Sequence, residues 1–310
     1  MPLSTPSGRL FLAATALFLA LAGCSDAVQP QEITCWGGLD QPTEPAPAGL
    51  KVKQFDVFGS VGCAIDADDT LVCWGKPNGD DDWTYDRLSR YPKGIKAKFL
   101  TLSASGGCVI DLDGKPVCWG GLEDLVQDTR ADTKYTYLND GAEALCLVSE
   151  AGTVSCVGRR AAFATWLGEL AGKKITSFQS NFYMACWTEA GKAGFSCRSW
   201  GPDDKPEHRY SVAKDIKRYK VQSLGNRLFY VTDANVLHIL EDGKERGAWA
   251  GMLDFDQDWD TCELHTNGEL ACAPIGGGIP HPYGPAMNVP KGPFTDIKIR
   301  PPMACALRKS

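Results

Sequence analysis

The sequence predicts an all-β fold, a seven-bladed β-propeller that closes by pairing its N- and C-terminal strands. Three observations support this prediction. Pairs of cysteines ten or eleven residues apart recur along the chain, and the residues between them have the pattern of a β-hairpin. A strand-like segment precedes each hairpin, so the repeating unit has at least three strands. The two ends of the chain match the two halves of one further hairpin, which predicts that they pair with each other.

The cysteine-flanked segments are typical of tight hairpins. They read CAIDADDTLVC at 63–73, CVIDLDGKPVC at 108–118, CLVSEAGTVSC at 146–156 and CELHTNGELAC at 262–272. When the two cysteines of a segment are paired, a three-residue loop remains, and the last residue of such a loop commonly adopts a left-handed conformation. Glycine or Asp occupies this position in all four segments, and both tolerate a positive φ. These residues are Asp69, Gly114, Gly152 and Gly268.

Two further hairpins depart from this pattern. Phe229 and Ile239 are ten residues apart around FYVTDANVLHI, and Asn235 falls on the left-handed position. We interpret this segment as a hairpin in which an apolar pair replaces the disulfide. Cys186 and Cys197 are eleven residues apart, so we expect a different turn between them.

Strand-like segments upstream of the hairpins complete the unit. Examples are residues 95–103, 173–180, 216–224 and 294–300. The hairpins start at positions 63, 108, 146, 186, 229, 262 and 305, which are 33 to 45 residues apart. This period is typical of a propeller blade with three or four strands.

The chain ends are predicted to form the seventh blade together. The last residues, CALRKS at 305–310, match the first half of a hairpin, and TCWGG at 34–38 matches the second half. Their pairing would place a Cys35–Cys305 disulfide across the seam. In the chain-entropy model, a disulfide that closes so long a loop stabilises the fold by about 4 or 5 kcal/mol.

The cysteine count supports a disulfide framework. The chain has 13 cysteines, and twelve remain when Cys24 is set aside as part of an N-terminal signal. The predicted disulfides are Cys35–Cys305, Cys63–Cys73, Cys108–Cys118, Cys146–Cys156, Cys186–Cys197 and Cys262–Cys272. Zinc binding is disfavoured, because the sequence has no C-x-x-C motif and only four histidines. We therefore predict no metal site and no cofactor.

Residues 1–23 have the features of an export signal. Arg9 precedes an uncharged apolar stretch at 10–22, which is shorter than the roughly 20 residues that a membrane-spanning helix requires. The sequence LAGC at 21–24 resembles the lipobox of bacterial lipoproteins, which implies cleavage before Cys24 and acylation of that residue. An ordinary secretory signal followed by a chance cysteine is the alternative.

The lipobox sets the remaining boundaries. Residues 24–31 would be the lipid anchor and a short linker, and residues 32–310 would be the propeller. Ser25 stands where an aspartate would retain a lipoprotein in the inner membrane, so it favours the outer membrane of a Gram-negative cell. We expect a protein of the cell envelope that is attached to the membrane through the lipid on Cys24.

The repeat resembles that of the regulator-of-chromosome-condensation family, in the cysteine-bearing form of exported bacterial proteins. The shared pattern is C-A-[LI]-x-x-x-G-x-[VL]-x-C-W-G, and the resemblance covers nearly the whole mature chain. The best matches are the Trp-Gly pairs at 36–37, 74–75 and 119–120, whereas Val-Gly at 157–158 and Ala-Pro at 273–274 depart from the pattern.

This resemblance implies a seven-bladed ring that serves as a protein-binding platform. Nuclear members of the family are guanine-nucleotide exchange factors for a small GTPase, a partner that an exported lipoprotein would not meet. Other exported bacterial relatives bind and inhibit secreted enzymes. The expected partner is accordingly an unidentified envelope or secreted protein, and we expect the propeller to be a monomer.

The sequence lacks four common catalytic or nucleotide-binding motifs, and we predict that the protein is not an enzyme. G-x-S-x-G, H-E-x-x-H, a Walker loop and a dinucleotide fingerprint are all absent. His208, His238, His265 and His281 are scattered, and we interpret His238 and His265 as packing or surface residues. Without its first 23 residues the chain has a net charge of 31 − 38 = −7, which disfavours nucleic-acid binding.

One acidic stretch alternates with other residues along a predicted strand. Asp254, Asp256, Asp258 and Asp260 would therefore lie on one face of that strand. We interpret this face as solvated. Calcium binding or a negative patch are the alternatives, but Trp259 occupies the position at which a calcium loop requires glycine.

The loops that follow the hairpins are the predicted partner-binding sites, because such loops commonly carry function on a rigid scaffold. One of them combines three acidic residues with two aromatic residues, which is typical of a contact surface, although a plain solvated loop can have the same composition. The candidates are Asp80, Asp81, Asp82, Trp83, Tyr85, Trp166, Trp249 and Tyr283.

Two alternative functions stay open. One is carbohydrate binding by exposed aromatic residues, and the other is an enzyme at the propeller centre, which would require carboxylates with shifted pKa values there.

Overall fold

The computed structural model describes residues 29–37, 44–77, 82–126, 132–140, 144–158, 168–181, 184–200, 206–212, 215–221, 227–241, 243–257, 260–274, 289–300 and 303–309. The predicted signal sequence and Cys24 lie outside these residues. The described part is all-β apart from one short helix and two 3-10 turns. In it, no helix is long and apolar enough to cross a membrane.

The described strands form six sheets in which every neighbouring pair is antiparallel. The six-stranded sheet has the order β22-β23-β1-β2-β3-β4 and contains β1 (Gln31–Gly37), β2 (Lys51–Phe58), β3 (Val61–Asp66), β4 (Leu71–Gly75), β22 (Phe294–Arg300) and β23 (Met303–Arg308). The three-stranded sheets contain β5 (Ala97–Ser103), β6 (Gly106–Asp111) and β7 (Pro116–Gly120); β8 (Tyr135–Asp140), β9 (Ala144–Ser149) and β10 (Val154–Gly158); and β19 (Met252–Gln257), β20 (Asp260–His265) and β21 (Leu270–Pro274). The four-stranded sheets contain β11 (Ile175–Ser180), β12 (Met184–Glu189), β13 (Phe195–Trp200) and β14 (Pro206–Val212); and β15 (Ile216–Val221), β16 (Arg227–Thr232), β17 (Val236–Glu241) and β18 (Lys244–Ala250).

The hairpin disulfides predicted from the sequence are confirmed. Cys63 on β3 lies directly opposite Cys73 on β4, and the other four cysteine hairpins have the same register. In the hairpin without cysteines, Phe229 lies opposite Ile239. Cys305 on β23 lies opposite residue 35 on β1, and a disulfide joins them over a sequence separation of 270.

The hairpin turns have the expected backbone conformation. Asp69 and Asn235 have φ angles of 64° and 58°, and they are the non-glycine residues with positive φ in the described part. Gly114 and the equivalent glycines of the other two hairpins have φ angles of 80° to 85°. The longer hairpin turns differently, since Gly191 and Gly194 both have a positive φ there.

The apolar core lies between neighbouring sheets. Val61 and Ile65 of β3, for example, pack with Leu100 of β5 in one buried cluster. The first strands of successive sheets contact one another from β2 to β15 and from β19 to β22, and β22 also contacts β2. The Trp-Gly pairs require a small residue opposite, because a Cβ atom on Gly62 would lie 2.5 Å from the ring of Trp74.

One predicted loop is a helix in the structure. Residues 83–88 form the short helix α1 (Trp83–Leu88), and Asp82 is its N-cap. The Asp82 carboxylate accepts hydrogen bonds from the backbone N–H of Tyr85 at 2.9 Å and from Ser60 Oγ at 2.6 Å. Asp82 satisfies an N–H group that has no partner within the helix, so at least one of the three acidic residues has a structural role.

Candidate functional site in the central cavity

A cavity of about 1300 Å³ lies between the first strands of the sheets. We call these strands the inner strands: β2, β5, β8, β11, β15, β19 and β22. On each inner strand, one residue lies opposite the first cysteine of its hairpin or opposite Phe229, and these seven residues form what we call the middle layer. The middle layer consists of Asp56, Thr101, Asn139, Gln179, Lys220, Asp256 and Lys298. Since alternate residues of a strand share a face, the residues two positions earlier form a second layer on the same side. This lower layer consists of Gln54, Phe99, Tyr137, Ser177, Arg218, Asp254 and Asp296.

The middle layer ties neighbouring inner strands together by one recurring hydrogen bond. At four positions, the side-chain oxygen of a middle-layer residue accepts a hydrogen bond from a backbone N–H group on the next inner strand. That N–H group belongs to the residue directly after the middle-layer residue of that strand. The four bonds are Leu102 N to Asp56 Oδ2 at 2.8 Å, Ser180 N to Asn139 Oδ1 at 2.8 Å, Val221 N to Gln179 Oε1 at 3.1 Å and Ile299 N to Asp256 Oδ2 at 2.7 Å. These bonds satisfy backbone groups that face away from their own sheet, so they link neighbouring sheets.

The two lysines of the middle layer cannot accept such a bond. Lys220 reverses it, because its ammonium group donates to the carbonyl oxygens of Phe255 at 2.5 Å and Ile297 at 3.4 Å. Its Nζ atom also lies 3.4 Å from Asp254 and 3.7 Å from Asp256. Lys220 therefore joins three inner strands at once.

The charged residues of the middle and lower layers cluster in one part of the cavity wall. In these two layers, the charged residues lie on β15, β19, β22 and β2, which we call the charged half. Arg218 bridges β19 and β22, since its Nη1 atom lies 2.5 Å from Asp254 and 3.3 Å from Asp296. Arg300, two residues beyond Lys298, lies 3.6 Å from Asp256.

This arrangement corrects the predicted solvated face of the acidic stretch. Asp254 is fully buried and Asp256 is 3 % exposed, and both bind cations of neighbouring strands. The alternation of Asp254 and Asp256 was interpreted correctly, but the face that they share meets the cations of neighbouring inner strands. Asp258 and the Asp260 side chain lie outside the described residues.

The pKa values in the charged half are shifted in opposite directions. Burial opposes ionisation of Asp254, but Lys220 and Arg218 outweigh it and lower its pKa to about 2. Desolvation within the ring and the charge of Asp254 raise the pKa of Asp296 to about 6, although 31 % of the Asp296 side chain remains exposed to the cavity. Burial opposes ionisation of Asp256 as well, and Lys220 with two further cations nevertheless lowers its pKa.

The neutral half of the wall consists of β5, β8 and β11. Phe99 and Tyr137 pack with ring centroids 4.7 Å apart. Ser177 Oγ lies 2.9 Å from the hydroxyl group of Tyr219, and Gln179 donates to the carbonyl oxygen of the same tyrosine at 2.9 Å. Burial raises the pKa values of Tyr137 and Tyr219, so both hydroxyl groups stay protonated.

Among the described partner-binding candidates, the two exposed tryptophans lie on different elements of the fold. Trp83 is 53 % exposed on α1, with the Arg87 guanidinium 5.0 Å from its ring, and Trp249 is 45 % exposed on the edge strand β18. Tyr85 is half-buried and packs against the core between β3 and β5. The remaining candidates, Asp80, Asp81, Trp166 and Tyr283, lie outside the described residues.

Two histidines have structural surroundings. His238 is 8 % exposed, its ring stacks on Tyr230 at 4.7 Å, and its Nδ1 atom lies 3.0 Å from Glu245. His265 is half-buried at the end of a hairpin strand. Across the residues that the structure describes, no group of three or more His, Cys, Asp and Glu side chains has the arrangement of a metal site.

Sequence reasoning missed the two layers of the cavity wall. A signal was available, because most inner-strand segments place polar residues at every second position over the same span, although Phe99 breaks this pattern on β5. The middle-layer residues are recognised as equivalent because each pairs with the first cysteine of its hairpin or with Phe229. This pairing is known only once the inner strand has been aligned with the hairpin in the structure.

The overall fold resembles that of several solved proteins. Yeast RCC1 (Prp20), in the structure with Kap60, has a TM-score of 0.64 and 13 % identity over 92 % of this chain and 90 % of that chain. Prp20p from Saccharomyces cerevisiae, in a study of its binding to Gsp1p and histones, has a TM-score of 0.63 and 12 % identity over 91 % and 93 % of the two chains. The CRINKLY WD40 ectodomain of the Arabidopsis thaliana receptor kinase ACR4 has a TM-score of 0.53 and 15 % identity over 76 % and 84 %.

These similarities show an RCC1-like, all-β fold of the propeller class. No protein-family model matches the sequence, and no curated protein sequence matches it significantly. At 12 to 15 % identity the likeness concerns the fold and not the activity.

Proposed function

We propose that this protein is a lipid-anchored β-propeller of the bacterial cell envelope, a monomer with seven blades that binds another protein and catalyses no reaction. The seven-blade count is supported by the six-stranded sheet, which divides naturally at β1 and β2. Only two residue pairs join β1 to β2, whereas five join β1 to β23. With that division, β22, β23 and β1 form one blade across the chain ends, and β2, β3 and β4 form another.

The observation that carries the binding proposal is an exposed tryptophan on a rigid support. Trp83 lies on α1, which is fastened at both ends. Asp82 caps its start, and the carbonyl oxygen of Leu88 at its end accepts a hydrogen bond from Trp119 Nε1 at 3.0 Å. Tryptophan and arginine are the residues that most often dominate protein interfaces, and Arg87 lies beside the Trp83 ring. The similar Prp20 fold has been crystallised with the protein Kap60.

A capture experiment with the tagged full-length protein tests this function. We expect one stoichiometric protein partner from envelope or secreted fractions, identified by mass spectrometry. Trp83→Ala should weaken binding of that partner about tenfold or more. Trp249→Ala is the matched control, because it removes a similarly exposed tryptophan from another part of the molecule. The proposal fails if no partner binds, or if both variants behave like the wild type.

Membrane attachment requires a separate test. The proposed anchor, Cys24, precedes β1 by seven residues, so the linker would hold the propeller within about 25 Å of the lipid headgroups. We expect Cys24→Ala to move the protein from the membrane fraction to the soluble fraction. A variant that stays in the membrane fraction would contradict the lipoprotein proposal without affecting the binding proposal.

An enzyme at the propeller centre is the second candidate. The cavity is lined by Asp256 and Asp296, two carboxylates with shifted pKa values, which this alternative requires. However, Asp254 and Asp296 both bind Arg218, and Asp256 holds the backbone of Ile299, so inter-strand contacts account for the shifts. Among the described residues, no histidine or cysteine lines the cavity. The geometry therefore favours a structural role for these carboxylates.

A further inference from the structure

Lys298 is exceptional within the middle layer. Its position corresponds to that of the four residues whose side chains accept a backbone hydrogen bond from the next inner strand. The backbone N–H that would lie opposite it, that of Val57, donates instead to the adjacent Asp56 Oδ1 at 3.0 Å. In the described part of the chain, Lys298 has no hydrogen bond and no ion pair within 4 Å, whereas Lys220 has both. The Lys298 ammonium group is therefore not used to hold the ring together.

Lys298 nevertheless stays charged. Burial disfavours its ammonium form, but the surrounding carboxylates of Asp56, Asp256 and Asp296 outweigh burial and raise its pKa. These carboxylates act through space, since none lies within 4 Å of Lys298. A cation thus faces the cavity with three N–H donors that the described protein groups do not bind.

The carboxylates of the charged half are already engaged. Asp56 and Asp256 each accept a backbone hydrogen bond from the next inner strand. Arg300 lies 3.6 Å from Asp256, and Arg218 lies 3.3 Å from Asp296. Arg218 and Lys220 are the other cations of the middle and lower layers, and both have ion pairs, so Lys298 is the cation of these two layers left without a direct counterion among the described residues.

The neutral half supplies complementary groups. Asn139 uses its side-chain oxygen to hold Ser180, so its amide nitrogen remains as a hydrogen-bond donor. Phe99 and Tyr137 form an aromatic surface on the cavity wall. Burial raises the pKa of Tyr137, and the charge of Lys298 partly counteracts this, so these two groups interact electrostatically. Donors and an aromatic surface suit a ligand that has an anionic end and a ring.

We propose that the central cavity binds a small organic carboxylate, with the Lys298 ammonium group as its ion-pair partner and Phe99 and Tyr137 packing against its ring. A charge-assisted hydrogen bond from an ammonium to a carboxylate is roughly twice as strong as a neutral one. The cavity, at about 1300 Å³, has room for such a molecule. This site goes beyond the protein-binding function and does not depend on it, because Trp83 lies on α1 and not in the cavity wall.

Calorimetric titration of the purified full-length protein, with its disulfides intact, tests the proposal. The probes are D-glucuronate and 4-hydroxybenzoate, each a carboxylate on a ring, and their uncharged counterparts are D-glucose and phenol. We expect saturable binding of at least one carboxylate and no comparable binding of its counterpart. Lys298→Met should weaken that binding about tenfold or more, and Lys298→Arg should retain it within about threefold.

A matched control separates a specific ion pair from general attraction. Lys217 is an exposed lysine at the edge of the same cavity, so Lys217→Met removes one positive charge without touching Lys298. Its affinity should stay within about twofold of the wild type, because exposed charges are screened. If Lys298→Met does not fold, judged by circular dichroism, Lys298→Gln replaces it. The proposal is overturned if neither carboxylate binds, if loss of the Lys298 charge leaves affinity unchanged, or if Lys217→Met weakens binding equally.

Discussion

The two halves of the cavity wall solve the same problem with different chemistry. In the neutral half, amides such as Asn139 and Gln179 bridge neighbouring inner strands by hydrogen bonds at 2.8 and 3.1 Å. In the charged half, Asp256 makes the same kind of bond at 2.7 Å, and ion pairs add further bridges that include the fully buried Asp254 and Lys220, whose side chain is 17 % exposed. The backbone geometry is equivalent on both sides. The side chain at an equivalent position therefore decides only how the bridge is made.

This difference has a cost on one side. Burial of a neutral amide costs only the one or two hydrogen bonds that the amide made with water. A buried carboxylate, in contrast, is tolerated only while its cations are present. The charged half is therefore expected to depend more steeply on single residues and on pH. It also contains the seam at which β1 from the start of the chain pairs with β23 from its end.

The largest expected effect concerns the seam disulfide. Cys35 and Cys305 are separated by 270 residues, and Cys146 and Cys156 in the neutral half are separated by ten. In the chain-entropy model, Ser replacement of the first pair lowers the free energy of unfolding by about 5 kcal/mol, and replacement of the second pair lowers it by about 3 kcal/mol. Urea unfolding followed by tryptophan fluorescence measures both. Equal losses would show that loop length does not distinguish the two halves.

The next effect compares the two kinds of bridge directly. Lys220→Met leaves Asp254 and Asp256 short of a cation, and breaking a buried ion pair in this way costs about 3 to 5 kcal/mol. Gln179→Leu, on the adjacent inner strand, removes two neutral hydrogen bonds and should cost about 1 to 3 kcal/mol. Both values come from urea unfolding at pH 7. If Gln179→Leu is the more destabilising variant, charge is not what distinguishes the halves.

The smallest effect is a pH dependence that is confined to the charged half. The pKa of Asp296 is raised from 3.8 to about 6 in the folded protein, so its contribution to stability is present below about pH 4 and is lost as the pH rises through 6. Asp254 behaves oppositely, because its pKa is lowered to about 2, and it loses its contribution only as the pH falls below 4. The range from pH 4 to 7 therefore separates the contribution of Asp296 from that of Asp254.

Over that range we expect the wild type to lose on the order of 1 kcal/mol from Asp296, after allowance for solvent screening of this partly exposed group. Asp296→Asn should lack this loss and should unfold at a higher urea concentration than the wild type at pH 7. Asp68→Asn, at the exposed tip of a hairpin, serves as the control and should retain the wild-type pH profile. An unchanged profile in Asp296→Asn would refute the assignment.

Much of the fold could be predicted because each hairpin is a local structure. The spacing of Cys63 and Cys73 allows only one register with a three-residue turn, and a positive φ is required at the end of that turn. The same rule located the hairpin around Asn235 without any cysteine. The strand at 294–300 was predicted with the bounds that the structure gives it.

The candidate site was less predictable because it is assembled from seven distant segments. The acidic alternation of Asp254 and Asp256 was recognised, but a strand pattern does not state which side is buried when the inner face is polar. Residues 83–88 were predicted to be part of a loop, and they form α1 instead. Asp82 is the N-cap of that helix, but in the sequence it was interpreted as one of three acidic residues in a contact loop.

By itself the sequence determined the local units of this protein: the hairpins, their disulfides, their left-handed turns and the pairing of the chain ends. These depend on residues close together in the chain or on one covalent bond. Only the tertiary structure decided which polar side chains face one another. Lys220 meets Asp254 and Asp256, and Lys298 meets no direct partner within the described residues, because the spacing between inner strands is set by the packing of whole sheets. That spacing is a property of all the packed sheets together and not of any one repeat.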